Sequence, residues 1–108
     1  MFYLASLVGS RRGCIPLTED TLMVGRASEN SDVRRLMDEK LLVSRIHSQV
    51  KVSDGKVYIR DLSSRNGTFI NAKEIGVGKW IRVYPDDVIS LGAAAPTEGA
   101  FAYKLLKS

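Results

Sequence analysis

Three short clusters hold the side chains best suited to chemistry: Gly25-Arg26, then Ser44-Arg45-Ile46-His47, then the run from Asp61 through Ser63-Ser64-Arg65-Asn66-Gly67-Thr68 to Asn71. Together they supply guanidinium groups, hydroxyls and an amide, with no nucleophile set beside a base. Such a donor set suits a tetrahedral oxyanion. An arginine forks onto two oxygens, a serine donates its hydroxyl hydrogen, and backbone amides in turns add further bonds. A phosphorylated side chain carries about −1.5 to −2 charges and several strong acceptors, so it matches this surface.

Other chemistries find little support. His47 is the single histidine and Cys14 the single cysteine, so a zinc site would need an unusual ligand set. Gly76-Val77-Gly78-Lys79 has the flavour of a phosphate loop. Trp80 stands where Ser or Thr should follow, however, and the first glycine is misplaced. A hairpin turn is the expected reading there. Asn66-Gly67-Thr68 fits the glycosylation sequon, but without a secretory signal it reads as a turn. No Gly-x-Ser-x-Gly occurs, and no base is identifiable beside Ser44. Neither an enzyme, a metal site nor a cofactor is expected.

The elements that must position these clusters read as strands. Val50, Val52, Val57 and Ile59 alternate with Lys51, Ser53, Lys56 and Tyr58, the period of a half-buried strand. Asp54-Gly55 between the two runs is a favoured two-residue hairpin turn, since both positions need positive φ. Closing the hairpin there sets Val52 opposite Val57 and Val50 opposite Ile59, with all four on one face. Short apolar runs at 2–8, 21–24, 68–70, 80–83, 88–91 and 101–106 carry the same signature, separated by Gly, Asn-Gly and Pro-Asp punctuation. Pro85 suits the second position of a type I turn. Many short strands at spacings of about ten residues indicate a β-sandwich or barrel. The segment 32–42 differs. Val33, Leu36, Met37 and Leu41 fall at helical spacing with Asp32 as a possible N-cap. A short helical turn is preferred there over an irregular strand.

The whole chain bounds these readings. Its 108 residues suffice for one domain, and 44% hydrophobic with 26% charged residues is ordinary for a soluble globular protein. A lone cysteine forms no internal disulfide, which leans towards a cytosolic or nuclear setting. No apolar run approaches the roughly 18 residues of a membrane helix, and the opening MFYLASLVGSRR reverses the order of a secretory signal. Sixteen Lys and Arg against twelve Asp and Glu give a net charge of +4. That permits an anionic partner without naming one.

The three clusters, in this order and at these spacings, resemble the signature of the forkhead-associated (FHA) domain family: Gly-Arg, Ser-x-x-His and an Asn-Gly loop. The run Pro85-Asp86-Asp87-Val88-Ile89-Ser90-Leu91-Gly92 is similar to the family's late turn and strand. The resemblance implies an all-β sandwich of about eleven strands, with apical loops that read phosphothreonine in a partner protein. By that likeness Arg26 contacts the phosphate, Ser44 gives it a hydroxyl, and Arg45 and Arg65 add cations. Asn66 bonds the ligand backbone, and Gly25, His47, Gly67 and Asp61 support the loops. Arg34 and Arg35 are read as solvent-facing charges, with choice of an acidic ligand residue as the rival.

The resemblance also implies a single domain over 1–108, the N-terminal module of a longer protein, in nuclear signalling or the DNA-damage response. The stretch 27–43 is longer than in many members of the family. It is expected to reshape or cap the peptide groove, or to touch another copy. A homodimer module indifferent to phosphate is therefore the alternative. Direct nucleic-acid binding is not expected, because no exposed aromatic platform interleaved with the basic residues is evident. No membrane partner is expected.

Overall fold

The computed structural model describes residues 1–7, 14–18, 21–26, 33–35, 43–94 and 101–108, with side chains described for all of these but 33–35. The hairpin forms with the register that alternation and turn dictate. Strands β5 (Ser48–Ser53) and β6 (Lys56–Asp61) pair Val52 with Val57 and Val50 with Ile59. Asp54 and Gly55 take φ of 51° and 71°, the left-handed pair of a type I′ turn. All four apolar side chains are buried, each worth roughly 1.5–3 kcal/mol of transfer free energy.

Nine further strands complete the described fold: β1 (Phe2–Ser6), β2 (Cys14–Leu17), β3 (Leu22–Gly25), β4 (Val33–Arg35), β7 (Thr68–Ile70), β8 (Lys73–Glu74), β9 (Ile81–Val83), β10 (Val88–Leu91) and β11 (Phe101–Lys107). They form a six-stranded sheet in the order β2-β1-β11-β10-β7-β8 and a five-stranded sheet in the order β4-β3-β5-β6-β9. The pairing is antiparallel except between β3 and β4, which run parallel. Phe2, Leu4, Ile89, Leu91, Phe101, Tyr103 and Leu105 of one sheet join Val24, Val50, Val57, Ile59 and Val83 of the other in one core cluster. This is an all-β sandwich.

Three local expectations change. Residues 33–35 are a strand on the edge of the five-stranded sheet, where their backbone pairs with β3; the rest of 32–42 lies outside the described residues. Pro85 does take the second position of its turn, and the Asp87 N–H bonds the Tyr84 carbonyl at 3.0 Å. Asp86 has φ of 75°, however, so the turn is of type II. Its N–H is drawn to the Leu105 carbonyl at 2.7 Å, which fixes that conformation. Finally, 76–79 links β8 in one sheet to β9 in the other, so it is a crossover and not a hairpin turn.

Candidate functional site

Register brings the clusters together. Val24 pairs with Ser48 and Ser48 with Asp61, so the end of β3, the start of β5 and the end of β6 lie side by side at the ~4.8 Å spacing of paired strands. The loops at these ends share one edge of the sandwich. Gly25 lets them close up. A Cβ there would lie 2.1 Å from the Arg45 carbonyl oxygen, so only glycine admits the backbone of the second loop. The Arg26 N–H then donates to the Ser44 carbonyl at 3.0 Å, and its Nε to the Val43 carbonyl at 2.9 Å. This double grip holds a half-buried guanidinium whose terminal nitrogens have no partner among the described residues.

His47 binds the second loop to the third. It is fully buried. Its Nδ1 accepts the Ser44 N–H at 2.9 Å, so the ring proton sits on Nε2, which donates to the Gly67 carbonyl at 2.7 Å. The His47 N–H donates to the Val24 carbonyl, and its own carbonyl accepts the Leu62 N–H, both at 2.9 Å. One residue thus joins all three loops. Gly67 has φ of 90°, and a Cβ would meet the Glu74 carboxylate at 2.9 Å. A positive φ and that contact both favour glycine.

Beneath the third loop lies a directed chain of polar groups. Asp61 is buried, and its Oδ2 accepts the Ser64 N–H at 2.9 Å. Its Oδ1 accepts two hydroxyls, a short bond from Ser64 and one from Thr68 at 2.7 Å. Since Thr68 spends its hydrogen on Asp61, the buried Ser48 hydroxyl donates to Thr68 at 2.6 Å. Ser64 Oγ in turn accepts the Gly67 N–H at 3.0 Å. A buried carboxylate with this many donors is well satisfied, and it fixes the Ser63–Gly67 turn, in which Ser63 also has positive φ.

The consequence appears at the surface. The Arg65 N–H donates to Ser44 Oγ at 2.8 Å. That bond uses a lone pair of the hydroxyl and leaves its hydrogen to give. Ser44 is half-buried, while Arg45, Arg65 and Asn66 are exposed. The structure therefore gathers Arg26, Ser44, Arg45, Arg65 and Asn66 at one edge, with Gly25, His47 and Gly67 beneath or between them. The side chains of Arg34 and Arg35 lie outside the described residues. Sequence reading includes Ser64 and Thr68 in the third cluster without a role for either, and it passes over Ser48. One signal was present: Asp61-x-x-Ser64 has the spacing of an aspartate that captures backbone N–H groups of its own turn. Another was Ser48, a polar residue in phase with the inward Val50 and Val52.

The chain also has relatives. The FHA domain model matches residues 22–92. The ovarian-specific serine/threonine-protein kinase Lok of Drosophila melanogaster is 39% identical over 98 residues, which cover 83% of this chain and 20% of the kinase. Serine/threonine-protein kinase chk-2 of Caenorhabditis elegans is 32% identical over 102 residues, covering 84% of this chain and 21% of that kinase. The chain spans about a fifth of the length of these two relatives. A structure from an analysis of phosphothreonine-dependent FHA domain interactions has a TM-score of 0.77 at 23% identity, over 99% of this chain and 96% of the other. At that identity the likeness is one of fold.

Proposed function

The chain belongs to the FHA domain family, and from that premise we propose that it is a phosphothreonine-dependent protein–protein interaction module and not an enzyme. The single observation that carries this reading is the Ser44 hydroxyl. Its oxygen already accepts the Arg65 amide, so its hydrogen is available to a phosphate oxygen beside the guanidinium of Arg26. Arg26 binds the phosphate, Ser44 donates to it, and Arg45 and Arg65 add positive charge around it. Asn66 bonds the backbone of the bound peptide. Gly25, His47 and Gly67 hold the loops in place. The solved FHA domain studied for phosphothreonine-dependent interactions supports the choice of ligand.

Residues 1–108 act as one module of a longer protein in signalling. The kinase relatives, matched over about a fifth of their length, support that setting. We assign it to the nucleus and the DNA-damage response, where members of the family are frequent. The test is titration of the purified domain against an oriented phosphothreonine peptide library, with phosphoserine and unphosphorylated controls. A charge-assisted hydrogen bond is worth roughly 1.5–3 kcal/mol net. Arg26→Ala should therefore lower affinity at least about tenfold while thermal melting shows a folded domain. Equal binding of unphosphorylated peptides, or wild-type affinity in folded Arg26→Ala, overturns the reading. Concentration-dependent dimerisation without phosphopeptide binding would replace it with the homodimer alternative.

A further inference from the structure

The outer face of the five-stranded sheet carries charge that the apical site does not use. Val50, Val52, Val57 and Ile59 point into the core, so the alternate residues of β5 and β6 point outward. Register sets Lys51 beside Tyr58, Tyr58 beside Arg82, and Gln49 beside Arg60. Trp80 lies across them: Lys51 Nζ is 4.3 Å from its ring centre and Arg60 Cζ 4.6 Å. The Lys51 amine is also 5.4 Å from the Tyr58 ring, and Arg82 stacks on Tyr84 at 4.6 Å. The expectation of no exposed aromatic platform interleaved with basic residues changes here: Tyr58-Ile59-Arg60 and Trp80-Ile81-Arg82-Val83-Tyr84 alternate the two types along the chain. The strands assemble them.

We propose that this face is a second binding surface, and that its occupant is an acidic polypeptide segment rich in Asp and Glu. Charge complementarity is the ground. Lys51, Lys56, Arg60 and Arg82 share one face of three adjacent strands. None of them pairs with a carboxylate among the described residues. Arg60 donates only to the neutral Gln49 amide oxygen, at 2.8 and 2.6 Å. Arg82 Nε is buried without a hydrogen-bond partner among the described residues. Fixing strands together with rings and stems needs no surplus charge, and like charges so close repel one another in the free domain. An anionic occupant relieves that repulsion.

The rings decide between anions. Trp80 and Tyr58 already carry the protein's own cations, so their faces are not open platforms for stacked bases. They act instead as supports that hold the cations in place for carboxylates. An extended segment lying across β5, β6 and β9 presents alternate side chains at about 6.7 Å, which suits a row of Asp or Glu. The surface is separate from the apical loops, and this inference does not rest on phosphothreonine recognition.

Trp80 is the only tryptophan, so its fluorescence reports on the patch directly. The experiment titrates the domain with poly-glutamate and with a mixed Asp/Glu peptide free of aromatics. Poly-glutamine and oligothymidylate run in parallel, and amide shifts of the wild-type domain are mapped by NMR. The expected result is a saturable, salt-weakened response to both acidic peptides, with shifts centred on β5, β6 and β9. Arg60→Gln with Arg82→Gln should weaken it at least about tenfold, and phosphothreonine-peptide affinity should change less than about twofold. Lys51→Gln with Lys56→Gln gives an independent pair should the first lower stability. No saturable response, shifts centred elsewhere, or tighter binding of oligothymidylate than of the acidic peptides overturns the proposal.

Discussion

The apical loops and the outer face of the five-stranded sheet both present cations, yet they hold them in different ways. At the apical edge three of the groups are fixed by directed hydrogen bonds to backbone: Arg26 through the Val43 carbonyl, Ser44 through the Arg65 amide, His47 through Ser44 and Gly67. On the sheet face Lys51 and Arg60 rest over the ring of Trp80, an attraction with a broad minimum, and Arg60 adds hydrogen bonds to the Gln49 amide oxygen. A hydrogen-bonded network inside a protein is strong only when complete, because each orphaned donor then costs its full desolvation. A stack of cations on rings loses one contact at a time. The two regions should therefore fail differently.

Asp61→Ala is the severest way to break the first. It strips the acceptor from the Ser64 N–H and from the Ser64 and Thr68 hydroxyls at a buried position. A loss of about 3–5 kcal/mol is expected, because three donors lose their acceptor and each buried donor left unsatisfied costs about 1–3 kcal/mol. Urea denaturation measures it. A loss below about 1 kcal/mol would mean that the network holds the Ser63–Gly67 turn no better than a surface contact does.

Gly25→Ala breaks the same region by crowding. The Arg45 carbonyl, 2.1 Å from the new carbon, must retreat and draw Ser44 away from Arg26. Overpacking of this kind costs about 1–3 kcal/mol. The more telling readout is phosphothreonine-peptide affinity, expected to fall at least about tenfold in protein that remains folded. Unchanged affinity would show that the closeness of the two loops is not what assembles the site.

How much of this was legible beforehand follows the same division. The β5–β6 hairpin was legible because two independent signals, alternation and Asp54-Gly55, agreed on one register. Strand β4 was not. The helical spacing of Val33, Leu36, Met37 and Leu41 points elsewhere, and a three-residue strand is too short to leave a periodic mark. Strand β2 hides behind Pro16, which is tolerated because β2 is an edge strand paired only with β1. Pro85 serves turns of type I and type II alike, and the choice came from the distant Leu105 carbonyl. In the site, the residue types at the tips were readable as oxyanion donors. The Ser48–Thr68–Asp61–Ser64 chain was not, since it exists only once three strands are in register. The basic face is half legible: Trp80-x-Arg82-x-Tyr84 alternates in the sequence, but its meeting with Lys51 and Arg60 needs the strand register.

The smallest expected effect gives the finest test of the contrast. Lys51→Met keeps an apolar stem of similar length and removes the ammonium that lies over Trp80 and Tyr58. Losing the ring contacts costs about 0.5–1 kcal/mol. Removing one of several clustered cations returns some of that by relieving repulsion. Salt separates the two terms, because repulsion acts through space and is screened, whereas the ring contacts are short. At about 0.01 M ionic strength, with a Debye length near 30 Å, the terms offset and stability should barely change. At about 1 M, where that length is near 3 Å, repulsion is gone in wild type too, and the variant should show the full ring-contact loss. Urea, being uncharged, allows both measurements. A variant equally destabilised at both salt concentrations would mean that the cations on this face do not repel one another appreciably, and the contrast with the bond-directed framework of the apical loops would lose its electrostatic half.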